Sequence, residues 1–166
     1  MSTRKMAVVA ALVAFIVLVS GQAVSLYRTL TAEAHGVTPA LLERVGQATP
    51  LVRVTRVERF HGRQAYLALY GTDRNGVAWV AWVRRDGKGP VLAARVEEGI
   101  SRARIRALVL AQEPGAQIGR IVSGIDEGRP VWEAAYTDTA GRQHYAYFDF
   151  YTGAPLKTYR LLKTAS

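Results

Sequence analysis

Residues 128–153 read GRPVWEAAYTDTAGRQHYAYFDFYTG, an aromatic ladder broken by glycine turns. Gly128 to Tyr136 repeats, in the same order and at the same offsets, the glycine, arginine, aromatic, alanine and tyrosine of Gly62 to Tyr70. The echo continues beyond it: Gly76 and Gly141 each open a following strand, and Gly87 and Gly153 each close one. Alternation along a strand puts Trp132, Ala134 and Tyr136 on one face and Glu133 on the other. By the same rule His144, Ala146, Phe148 and Phe150 look one way, while Tyr145, Tyr147 and Tyr151 look the other. The chain therefore reads as two copies of one small β-rich unit.

Working outward, the second copy opens with Ser101 as N-cap of a helix Arg102–Gln112, whose apolar side is Ile105, Leu108 and Val109. Pro114-Gly115 stops that helix, and strands follow near 117–125, 130–138, 142–151 and 155–162. The first copy opens with Thr38-Pro39 as N-cap and first helical residue, then Leu41, Leu42 and Val45, with Gly46 and Pro50 expected to end it. From Leu51 to Phe60 apolar and charged residues alternate imperfectly, which predicts a strand with a bulge. Strands at 66–70, 77–84 and 91–96 are separated by the turns 72–76 and 86–90, and Glu97 to Gly99 joins the copies. A helix followed by about four antiparallel strands, twice, is an α+β plan rather than an alternating nucleotide-binding one. One helix covers one face of a small sheet, so the other face must meet the sister unit, a partner or solvent.

Before the copies, Arg4 and Lys5 precede an apolar run, MAVVAALVAFIVLV, that continues more weakly to Tyr27. Counted from residue 6 to 27, it is long enough to cross a bilayer core of about 30 Å as a helix. The basic N-terminal flank would hold residues 1–5 in the cytoplasm and send the rest outward. A cleaved signal peptide is the competing reading, with Gly21 and Ala23 as small residues for a peptidase. The expected organisation is a cytoplasmic N-terminus (1–5), a transmembrane signal anchor (6–27), a first domain (28–97) and a second (98–166).

No constellation for catalysis emerges. The chain has no cysteine, which excludes disulfides, thiol chemistry and cysteine-held zinc. His35, His61 and His144 lie in different segments, none with a second ligand three or four residues away, and read as surface or turn residues. Glu133, Asp138 and Asp149 do not converge by alternation, and Asp138 belongs to a hairpin end. Gly87-Lys88-Gly89-Pro90 lacks the spacing of a phosphate loop, Ser101 and Ser123 lack a nucleophile-elbow setting, and Asp73-Arg74-Asn75-Gly76 is a turn. We expect no enzyme, no cofactor and no metal. The net charge is +9; from Arg28 onward 20 basic and 13 acidic side chains leave +7. The arginines are scattered rather than blocked, which argues against a nucleic-acid partner.

Trp132-Glu133-x-x-Tyr136, the run Tyr145-Ala146-Tyr147-Phe148-Asp149-Phe150-Tyr151-Thr152-Gly153 and Leu156-Lys157-Thr158-Tyr159 resemble the YpmB/TseB-like family of cell wall elongation regulators. The overall plan matches as well. The resemblance implies an anchor helix followed by two tandem cystatin-like, PepSY-related domains in a non-enzymatic, outward-facing membrane protein. It further implies an association with a class B penicillin-binding protein, the transpeptidase of sidewall elongation, and supplies no catalytic residues. Aromatics that tolerate half-wet settings anchor interfaces, so Trp132, Tyr136, Tyr145, Tyr147 and Tyr151 are the candidate partner-binding residues; packing of the two copies on each other is the competing use for those rings. The alternative partner is an anionic envelope polymer such as teichoic acid, gripped by arginines including Arg53, Arg56, Arg59 and Arg63.

Overall fold

The computed structural model describes residues 37–161. Each copy starts with a helix, α1 at Pro39–Ala48 and α2 at Arg102–Gln112. Ser101 caps α2 as its sequence predicts: it is extended (φ −70°, ψ 150°) and its side chain accepts from the Arg104 N–H. α1 runs through Gly46 to Ala48 and ends before Pro50, between the two residues expected to stop it. The Thr49 N–H and Oγ1 both reach the Val45 carbonyl, at 2.9 and 2.8 Å, so the last turn is closed despite the glycine.

Four antiparallel strands follow each helix. Strands β1 (Arg53–His61), β2 (Ala65–Thr72), β3 (Ala78–Arg84) and β4 (Leu92–Arg95) form one sheet in sequence order. Strands β5 (Gln117–Asp126), β6 (Arg129–Thr137), β7 (Gln143–Asp149) and β8 (Pro155–Arg160) form the other, also in order. The first strand of each carries a bulge, between Val54 and Arg56 and between Ile118 and Arg120.

Turn chemistry repeats with the sheets. Asp73 Oδ1 accepts from the N–H groups of Asn75 and Val77, and Asp138 Oδ1 from those of Ala140 and Arg142. The glycines that follow, Gly76 and Gly141, take φ of 81° and 76°, a region where a side chain would be strained. Asp149 caps the next turn by accepting from Tyr151 and Thr152, which ends β7 short of the expected residue 151.

The two copies are not independent. From Pro39 onward the chain is one compact unit, and its main core draws on both sheets. Tyr70, Val80 and Trp82 of the first sheet pack with Ile105 and Val109 of α2 and with Trp132 and Phe148 of the second sheet. The Trp82 and Phe150 rings meet edge to face at 5.0 Å. At the centre is Ser123, fully buried, whose Oγ lies 2.7 Å from Tyr70 Oη and 2.9 Å from Trp82 Nε1. A second, smaller cluster forms where Phe60 of β1 meets Val122, Val131 and Tyr147. Phe60 lies so close over Gly124 that a methyl group there would overlap its ring.

Among the described residues no helix is long and apolar enough to cross a membrane. The expected anchor at 6–27 and its orientation fall outside those residues.

Candidate functional site

The second sheet has one face under α2 and one face away from it. On the outer face Arg120, Glu133, Tyr145, Tyr147, Lys157 and Tyr159 are neighbours, because β5 to β8 pair in register and alternation sends these side chains the same way. Glu133 is almost fully buried, at 1 % exposure, which a carboxylate tolerates only when its oxygens are held. Arg120 donates to Oε1 at 2.7 Å and the Tyr147 hydroxyl donates to Oε2 at 2.6 Å. Burial and that negatively charged acceptor push the Tyr147 phenol well above its ordinary value, so it remains a donor.

Next to this network, Lys157 Nζ sits 2.5 Å from Asp126 Oδ2 and 5.2 and 5.5 Å from the Tyr147 and Tyr159 ring centroids. Asp126 pulls the Lys157 ammonium upward, which keeps it charged. Tyr147 and Tyr159 meet edge to face at 5.9 Å. The face thus offers aromatic edges and a fixed cation rather than a reactive centre. Tyr159, at 54 % exposure, and the half-buried Tyr145 are its accessible rings.

The aromatic residues read from the sequence as partner-binding lie in three places. Trp132 is buried on the α2 side, where its Nε1 donates to the Ile100 carbonyl at 3.1 Å and its ring stacks on Phe150 at 5.8 Å. Tyr136 is buried there too, stacked on His144 at 5.0 Å and 3°. Tyr145 and Tyr147 share the outer face, and Tyr151 is exposed in the β7–β8 turn. Trp132 and Tyr136 therefore pack the joint core, and Tyr147 packs against Phe60, 6.3 Å away. Lys157 and Tyr159 belong to the family-like run Leu156–Tyr159 but are not among the residues read from the sequence as partner-binding. The available signal was that β8 closes the sheet and has a single neighbour, so its rings have no cover on the far side.

His144 departs from its reading as a surface or turn residue. It is buried on β7, with Nε2 2.9 Å from Asp138 Oδ2, because the hairpin turn carries that carboxylate back over the strand. His61 is exposed at the end of β1, as expected, and His35 lies outside the described residues. Among the described residues no group of three histidine or carboxylate side chains could hold a metal.

Residues 42–84 match the family described as "Cell wall elongation regulator TseB-like domain", and residues 99–159 match "Peptidase propeptide and YPEB domain" (PepSY). A Bacillus subtilis protein named "Probable cell wall elongation regulator TseB" is 32% identical over 134 residues, 80% of this chain and 83% of its own. The chain belongs to the TseB-like family. The solved structure of the YpmB protein from Bacillus subtilis matches with a TM-score of 0.67 at 29% identity, over 72% of this chain and 93% of that one. The TseB-like and PepSY matches fall on the first and second sheet respectively, so the family's two parts coincide with the repeat. TseB-like proteins are regulators, and this chain is not an enzyme.

Proposed function

We propose that this protein regulates cell wall elongation from the outer side of the cytoplasmic membrane. It is held there by residues 6–27 and acts by binding a class B penicillin-binding protein. The observation that carries the reading is the outer face of the second sheet, where Tyr145, Tyr159 and Lys157 stand on a Glu133–Arg120–Tyr147 network that locks their supports. Rigid aromatic rings beside a fixed cation suit a protein contact, since little side-chain freedom is lost on binding. The relative named as an elongation regulator supports the process; the transpeptidase is the partner the family resemblance supplies.

The test is a photo-crosslinking residue at Tyr159 in intact cells, with a second at Arg74 in the β2–β3 turn as control. A transpeptidase adduct that forms at Tyr159 and not at Arg74, and survives high salt, is the expected result. Absence of any wall synthase among the Tyr159 adducts would overturn the reading.

A second reading is favoured by one feature. A shallow cleft is lined by Arg63, Gln64, Ala65, Arg84, Arg85 and Asp86, where the β1–β2 and β3–β4 turns meet. Arg84 is bound to Asp86 at 2.6 Å, and Arg63 reaches Glu127 only at 3.4 Å, in the open. Such a cleft suits a phosphate-bearing envelope polymer of the teichoic acid class. Binding of poly(glycerol phosphate) that falls steeply with salt and is lost in Arg85→Glu would select this reading.

A further inference from the structure

The stretch 28–38 separates the end of the apolar run at Tyr27 from Pro39, the first residue of α1. A fully extended chain covers about 3.5 Å per residue, so α1 begins within about 40 Å of wherever that run ends. With residues 6–27 in a bilayer, the surface around the start of α1 is the part of the fold tethered nearest to the lipid.

Positive charge is concentrated on that surface. Leu41, near the start of α1, has its Cδ2 3.6 Å from the point that a Cβ on Gly87 would occupy, so the helix starts beside the β3–β4 turn. Nearly one helical turn further on, Arg44 donates to the Gly87 and Gly89 carbonyls and holds that turn against the helix. Arg85 and Lys88 in the turn are exposed, and Asp86 is already held by Arg84 at 2.6 Å. Arg63 of the β1–β2 turn lines the same cleft as Arg84 and Arg85, with Glu127 3.4 Å from it in the open. Arg44, Arg63, Arg84, Arg85 and Lys88 thus outnumber Asp86 and Glu127. No other described turn has such an excess. Asp73 and Arg74 cancel between β2 and β3, as do Asp138 and Arg142 between β6 and β7, and Glu127 leaves the β5–β6 turn acidic.

An anionic surface attracts lysine and arginine only within about a Debye length, roughly 8 Å at physiological salt, so a basic corner needs something to keep it close. A short tether does so, because it makes the encounter intramolecular. Arginine's planar fork also matches the oxygens of a phosphate. We propose that the corner formed by the start of α1 and the β1–β2 and β3–β4 turns docks on anionic phospholipid headgroups of the membrane that anchors the chain. The proposal rests on the anchor read at residues 6–27. Docking at this corner fixes how the fold stands on the membrane, and with it the direction in which the outer face of the second sheet is presented.

The chain has no cysteine, so one introduced thiol carries a fluorophore to a single place. Pro90→Cys marks the basic turn without removing a cation, and Ala140→Cys marks the β6–β7 turn; both positions are exposed. The full-length protein is placed in vesicles of phosphatidylcholine alone or mixed with phosphatidylglycerol, with a nitroxide quencher on the headgroups. The Pro90 label should be quenched in the anionic vesicles, released by high salt and left bright in phosphatidylcholine, while the Ala140 label stays bright in both. Arg85→Glu with Lys88→Glu should abolish the quenching with far-UV circular dichroism unchanged. Should the spectrum change, Arg85→Gln with Lys88→Gln makes the same test more gently. Equal quenching in the two kinds of vesicle, equal quenching of the two labels, or quenching that survives the loss of both cations would overturn the proposal. Loss of the quenching when poly(glycerol phosphate) is added at the concentration of lipid phosphate would give this corner to the polymer and also overturn it. Alkaline extraction tests the anchor separately: release of the protein from the vesicles refutes a span at residues 6–27, whereas salt-sensitive quenching at Pro90 would still support the lipid-facing corner.

Discussion

Ser123→Ala tests whether the two repeats share one core. The Trp82 indole can only donate, so the Ser123 oxygen is its acceptor, 2.9 Å away at a site where Trp82 is fully buried. Removing that oxygen strands the indole N–H without water, at a cost of about 1–3 kcal/mol. The Tyr70 hydroxyl, 2.7 Å from the same oxygen, loses its partner as well and adds roughly 1 kcal/mol. The sum, about 3 kcal/mol, should lower the urea midpoint by roughly 1.5 M for an m-value near 2 kcal/mol/M. Tyr70→Phe alone should cost about 1 kcal/mol. The double variant should fall short of the sum of the singles by about that amount, because the same bond is removed twice. Urea titration of the full-length protein in mild detergent, followed by tryptophan fluorescence and circular dichroism, reads both quantities. A Ser123→Ala protein within about 0.5 kcal/mol of the parent, or strictly additive singles, would refute the idea that this hydroxyl ties the first sheet to the second.

Gly124→Ala should cost about 1–3 kcal/mol through overlap with the Phe60 ring. Phe60→Leu in the same protein should recover part of the loss, visible as a raised urea midpoint relative to Gly124→Ala. Tyr147→Phe should cost about 1–3 kcal/mol, since Glu133 Oε2 is buried and loses its donor; thermal denaturation at neutral pH measures it. The Arg142 N–H, the His144 ring and the Arg142 guanidinium hold the Asp138 carboxyl well below the usual carboxylate range. A depressed folded-state value means this stabilisation is present above the unfolded carboxylate value of about 4 and fades as the pH falls below it. Asp138→Asn should therefore be less stable at neutral pH and lose less on acidification, and an unchanged slope of stability against pH between about 5 and 2 would count against that.

Much of the architecture was legible because local signals agreed with one another. Ser101 as a cap, the Asp-to-glycine turns at 73–76 and 138–141, and the strand alternation each depend on a few neighbouring residues, and all recur at their predicted places. The repeat was visible because duplicated turns need the same residues in both copies, glycine above all where φ is positive. Local pattern could not say which buried face was covered by what. Trp132 and Tyr147 alternate alike on the page, yet one stacks in the joint core and the other supports an outer face, because a sheet's two sides are distinguished only by what packs on them. His144, Glu133 and Ser123 likewise owe their burial to partners at Asp138, Arg120 and Trp82, which the chain brings near only when strands pair and sheets meet. Short-range physics, acting through caps, turns and period-two alternation, settled the elements in advance. Only the folded chain decided which rings became core and which stayed at the surface, because burial depends on residues far away in sequence.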